Sequence, residues 1–162
     1  MTKMVVCIGA ILLPMGIAFA TNHPDLKESL WSVHTQTINN LGGQKNEGSF
    51  TLCLSHSYDQ AVEAHAKNMK GCTVSSESFE GNMYSIEMRC TVGTTVIETK
   101  GTTTFGDDTS TQSETHATYT SALAGIGELT MIQDQKYMGS CPAGVLPGNR
   151  TNADGTVIPL PR

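Results

Sequence analysis

Large side chains are scarce in this chain: one Trp, four Phe and four Tyr stand among 162 residues. So small a supply of bulky apolar groups excludes a broad greasy interior, and any core must be thin. Cations are scarce as well, ten Lys and Arg against fifteen Asp and Glu. Lys45, Lys67, Lys70, Arg89 and Lys100 are scattered, with no run that could track a phosphate backbone, so no nucleic-acid partner is expected. No C-x-x-C pair occurs, which argues against a thioredoxin-type centre and a zinc knuckle. A G-x-S-x-G nucleophile elbow is also missing. Beyond residue 20 no apolar stretch is long enough to span a bilayer.

What is present begins with an export signal. Lys3 supplies a positive start, an apolar run follows, and Ala18-Phe19-Ala20 forms an A-x-A site. The uncharged stretch from Met4 to Ala20 is only 17 residues and is broken by Pro14, short for a membrane anchor. Residues 1–20 are therefore read as a signal peptide cleaved after Ala20, which places the mature chain in the periplasm or outside the cell. Losing Lys3 with the leader takes the formal charge from −5 to −6. Residues 21–141 are read as one β-rich domain, and residues 142–162, dense in Pro and Gly, as an extended or disordered tail.

Cysteine count then becomes informative. Four remain after the leader: Cys53, Cys72, Cys90 and Cys141. An even number in an oxidising compartment implies two disulfides, with three pairings open. The stretch "CTVSSESFEGNMYSIEMRC" selects among them. Folded about Gly81, with Glu80-Gly81-Asn82 as a three-residue loop, it sets Cys72 against Cys90, Val74 against Met88, Ser76 against Ile86 and Ser78 against Tyr84. Tyr84, Ile86, Met88 and Cys90 then share one face, with Ser85, Glu87 and Arg89 on the other. Two cysteines directly opposite can suit a bridge. Elimination leaves Cys53 with Cys141.

Elsewhere, "LWSVHTQTINN" alternates Trp31, Val33, Thr35 and Thr37 against polar neighbours, and "SFTLCLS" alternates Phe50, Leu52 and Leu54. Ser57-Tyr58-Asp59-Gln60 has the form of a capping box that opens a helix, with Tyr58, Val62, His65 and Met69 at helical spacing and Gly71 ending the run. Residues 94–106, 110–121 and 129–139 read as further Thr-rich strands. The expected fold is mainly β (α+β): a curled antiparallel meander of about six or seven strands, one short helix packed on it, and two disulfides.

Taken in order, "LKESLWSVHTQT", "LCLSHSYDQA", the two-cysteine hairpin, the Thr/Gly-rich strands and the closing "QKYMGSC" resemble the small exported bacterial proteins grouped as domain of unknown function 3617. The likeness covers about residues 26–142. It implies a periplasmic location and paired cysteines, and it brings no catalytic residues with it.

Chemistry has few places to reside. Ser55, His56, Ser57 and Asp59 are neighbours in sequence, but a catalytic triad needs convergence in space, and Ser57 already has a role as a cap. Asp107-Asp108 is turn material. No catalytic residue is assigned and no enzyme is expected. Copper handling is one alternative, because His and Met ligands suit it and His65 and Met69 stand four apart on one helix face. Met88 and Met131, however, fall at interior-facing strand positions, where Met fills gaps. Carriage of a small apolar ligand is another, in a groove lined by Trp31, Tyr84 and Tyr119. The leading reading is an exported, non-enzymatic binding or envelope-associated accessory module, without a cofactor and with its partner unknown.

Overall fold

Alternation of period two over long stretches dictates most of the architecture. The structure is a computed structural model that describes residues 25–40, 43–123 and 125–159; the expected leader and its cleavage site lie outside them. The elements run β1 (Ser29–Asn39), β2 (Lys45–Leu54), α1 (His56–Lys67), β3 (Cys72–Glu80), β4 (Met83–Val92), β5 (Thr95–Asp107), β6 (Ser110–Leu123), β7 (Ile126–Gly139), β8 (Asn149–Asn152) and β9 (Val157–Pro159). The strands form one open sheet, antiparallel throughout, in the order β3-β4-β5-β6-β7-β1-β2-β8-β9.

Among the described residues the sheet thus has nine strands, where alternation alone predicts six or seven. β8 and β9 make the difference, and both lie in the Pro- and Gly-rich segment after Cys141. They are too short to show a period, but β8 pairs with β2 through Phe50↔Asn152, Thr51↔Thr151 and Leu52↔Arg150, and β9 pairs with β8. The Arg150 guanidinium lies 4.0 Å from the Phe50 ring centroid, a cation–π contact that ties β8 down over the core. Asp154 and Gly155 make the turn between β8 and β9. The Asp154 carboxylate accepts from the Thr156 N–H at 2.9 Å, and this bond holds its pKa below the usual value.

Both disulfides form as the spacing predicts: Cys72–Cys90 with Cα atoms 3.9 Å apart, and Cys53–Cys141 with Cα atoms 5.7 Å apart. The hairpin that carries the first differs from expectation beyond Val74. Ser75 is bulged out, its hydroxyl donating to the Glu87 carbonyl at 3.2 Å, and the register moves on by one residue. Glu77 now opposes Ile86 and Phe79 opposes Tyr84, so the loop is the two residues Gly81-Asn82 rather than three. The reason is parity. Val74 and Phe79 differ by an odd number, so only an inserted residue lets both face inward with Cys72. Gly81 takes φ +62°, as such a tight turn requires.

The helix also starts earlier than the capping box suggests. Ser55, not Ser57, is the N-cap, and its hydroxyl accepts from the Tyr58 N–H at 3.2 Å. The His56 N–H donates to Glu28 Oε1 at 2.9 Å, so a residue distant in sequence completes the cap. Tyr58 packs onto a cluster of Trp31, Val33, Phe50, Leu52 and Leu54 on β1 and β2. A second cluster, Tyr84 with Phe105 on β4 and β5, gathers Phe79 and Ile86. Leu26 touches both clusters.

Candidate functional site

Register places one row of side chains across the buried face of the sheet: Tyr84, Thr103, Ser113, Gln133, Thr35 and Gly48, on β4, β5, β6, β7, β1 and β2 in turn. At one end of the face lie the two apolar clusters, but the middle of this row is polar. Thr103 and Ser113 are buried and their hydroxyls are 2.8 Å apart. The Thr35 hydroxyl donates to the Gly48 carbonyl at 3.3 Å. Gln133 is only 2% exposed, and its Oε1 has no hydrogen-bond partner among the described residues. A buried amide oxygen left so costs about 1–3 kcal/mol. Evolved interiors rarely carry such a group without a reason.

The same face holds buried Thr99, Thr111, Thr115 and Ala117, with half-buried Met131 beside Thr115. Small hydroxyl-bearing residues at these positions fill less volume than the aliphatic residues a packed sheet face usually uses. The opposite face is solvated and laced by cross-strand pairs: Lys100–Glu87 at 2.9 Å, Arg89–Glu98 at 3.2 Å, and Gln112 to Asp134 at 2.9 Å.

A second concentration of polar groups lies where residues 25–28 cross the first turn of α1. His56 Nε2 is 3.0 Å from the Leu26 carbonyl oxygen, and His56 Nδ1 is 3.8 Å from Glu28 Oε1. The Asp59 carboxyl is largely buried, and that burial pushes its pKa up to about 6. His56 works against the rise, while Glu28 and Asp25 add to it. The segment continues toward the β5–β6 turn, where the Lys27 N–H donates to the Asp108 carbonyl at 3.3 Å and Lys27 Nζ pairs with the Asp108 carboxylate at 3.2 Å. The Trp31 indole N–H donates to the Lys27 carbonyl at 3.0 Å.

The residues singled out from the sequence are dispersed. Trp31 and Tyr84 are fully buried in different clusters. The Tyr84 hydroxyl donates to Glu77 Oε1 at 2.8 Å. Tyr119 is half-buried opposite Ile97, at the far end of β6, and burial raises its phenol pKa. By register Trp31 lies near the start of β6, so it and Tyr119 are about 30 Å apart along the strands. They do not line one groove. His65 is exposed on α1, but the helix ends at Lys67 with Asn68 as C-cap, so half-buried Met69 lies beyond it and the two do not share a helix face. His34 and His116 lie on the solvated face, 2.9 Å from the Ser49 hydroxyl and 3.1 Å from the Thr130 hydroxyl. Among the described residues no group of three or more His, Cys, Asp or Glu is placed to hold a metal ion. Ser57 lies 3.0 Å from the Ser55 hydroxyl, and His56 is engaged by residues 26 and 28, so the Ser-His-Ser-Asp stretch serves the helix start.

Gln133 and the 25–28 segment escaped the sequence reading. A signal for Gln133 does exist, though it does not single it out: Leu129, Met131, Gln133, Gln135 and Tyr137 share a parity, and two glutamines interrupt the apolar members of that set.

No helix among the described residues is long and apolar enough to cross a membrane. A family model described as "Protein of unknown function (DUF3617)" matches residues 26–141. No curated protein matches the chain.

Proposed function

Because the chain belongs to the DUF3617 family of proteins of unknown function, we propose that it is an exported, periplasmic, non-enzymatic binding module whose site is the buried face of the sheet. The observation that carries this is Gln133, a buried acceptor with no donor among the described residues. Leu26 supports a curled sheet around it. On a flat sheet β5 and β1, three neighbours apart, would be separated by about 14 Å, yet this one side chain meets clusters on both. Curling makes the Thr103-Ser113-Gln133-Thr35 row the floor of a trough, with apolar walls at one end. A ligand suited to that floor is small and offers an N–H or O–H to Gln133 Oε1, with an apolar portion toward Trp31, Val33 and Phe105. Export is supported by the A-x-A leader and by two disulfides, which persist in oxidising compartments.

Native mass spectrometry of protein purified from its own host tests the reading, with Gln133→Met as the comparison. The expected result is a retained adduct on the wild-type chain that is lost in the variant. The variant's thermal stability should hold or rise by about 1 kcal/mol, since the unpaired acceptor has gone. No adduct, together with a variant that loses stability, would make Gln133 a structural residue and remove the site.

A further inference from the structure

Residues 25–28 join two parts of the fold that no strand pairing joins. Leu26 and Glu28 hold the segment to α1 through His56, and Lys27, between them in sequence, reaches the β5–β6 turn through Asp108. The Leu26 side chain sits against both apolar clusters at one end of the buried face. Resting on the reading of that face as a binding trough, we propose that residues 25–28 are a strap across its end, and that acid tightens the strap's attachment to α1 while neutral pH loosens it.

The charged groups at the α1 end are Asp25 and Glu28 on the strap, and His56 and Asp59 on the helix, beside the half-buried Tyr58. Toward the β5–β6 turn are Lys27, Asp107 and Asp108, with Tyr137 under Lys27. Near neutral pH three carboxylates meet one imidazole at the helix start. Two of those carboxylates, Asp25 and Glu28, belong to the strap and repel Asp59. Burial raises the Asp59 pKa from 3.8 to about 6, so with the strap closed this carboxyl takes up its proton well before a solvated one would. Protonation of Asp59 removes the repulsion. If lifting the strap returns Asp59 to water, the closed-to-open ratio falls about tenfold per pH unit between about 4 and 6 and levels off above. A trough closed in acid and freer at neutral pH would retain its ligand in one condition and release it in the other.

The test uses ligand-free full-length mature protein, so it is independent of whether a ligand is ever found. Hydrogen exchange over residues 26–30, corrected for intrinsic rates, measures opening directly. Acrylamide quenching of Trp31, the only tryptophan in the chain, measures it by a second route, because its indole bonds the strap at Lys27. Protection of the strap is expected to rise about tenfold per pH unit from 6 down to 4, and quenching to fall in parallel. Asp59→Asn should flatten both profiles and keep the strap protected at pH 7. Glu28→Gln retains an acceptor for the His56 N–H while removing one charge, and should move the window to lower pH, which keeps the question open to measurement if the Asp59 variant folds poorly. A wild-type profile that is flat, or a slope unchanged in both variants, overturns the proposal. Pronounced strap motion with no retained ligand would instead sink the binding reading alone.

Discussion

At the scale of single residues, the fold depends on a few positions where nothing larger fits. Gly148 has φ +85°, and a Cβ there would come within 2.5 Å of Tyr58 Cε2. Its N–H donates to the Cys53 carbonyl at 2.7 Å, so the backbone cannot simply back away. The glycine lets the chain after Cys141 pass directly over the tyrosine that seats α1. Gly148→Ala should therefore cost about 2–4 kcal/mol, combining a left-handed backbone penalty with displacement of a packed ring. Urea unfolding checks this, and a loss below about 0.5 kcal/mol, the range of an ordinary surface change, would contradict it. Gln133 works in the opposite sense. It costs stability by leaving a buried acceptor unpaired among the described residues.

Among the elements, what was legible in the sequence divides by how local the cause is. Trp31, Val33, Phe50, Leu52 and the two cysteine pairs follow from alternation and symmetry within one or two strands, and the structure places them as read. The Ser75 bulge was not read, although its cause was local: the parity of Phe79 conflicts with that of Val74. β8 and β9 were missed because strands of four and three residues show no period, and only the exposed edge of β2 gives them a place. The polar row around Gln133 needs β4 to β7 and β1 side by side, which no stretch of sequence displays. At the helix start, Ser55 caps and Ser57 does not, since the chain from β2 turns into α1 one residue after Leu54. Ser55→Ala should cost about 1 kcal/mol, while Ser57→Ala should stay within about 0.5 kcal/mol. Thermal melts of the two variants decide between the caps, and a reversed order would restore the capping box.

For the molecule as a whole, thin packing shifts the burden of stability to covalent links. The described core is two small clusters joined through Leu26, and much of the remaining buried face is Thr, Ser and Gln. In the chain-entropy picture, Cys72–Cys90, with a separation of 18, contributes about 3 kcal/mol, and Cys53–Cys141, with a separation of 88, nearly 5 kcal/mol. Against a net stability of about 5–15 kcal/mol, either is a large share. Their structural consequences differ. Cys72–Cys90 spans a hairpin already paired along its length, so its loss leaves every strand a partner. Cys53–Cys141 fixes the start of the segment that becomes β8 and β9, strands otherwise held by three residue pairs on β2, the Gly148 hydrogen bond and Arg150 over Phe50. Replacing Cys53 and Cys141 together by Ala should therefore be the more damaging of the two double substitutions. Hydrogen exchange should show β8 and β9 losing protection while β4 to β7 retain theirs. The Cys72/Cys90 double variant should lower the denaturant midpoint less and leave β8 protected. If it proved the weaker protein, the hairpin rather than the long loop would be the clamp this thin sheet depends on.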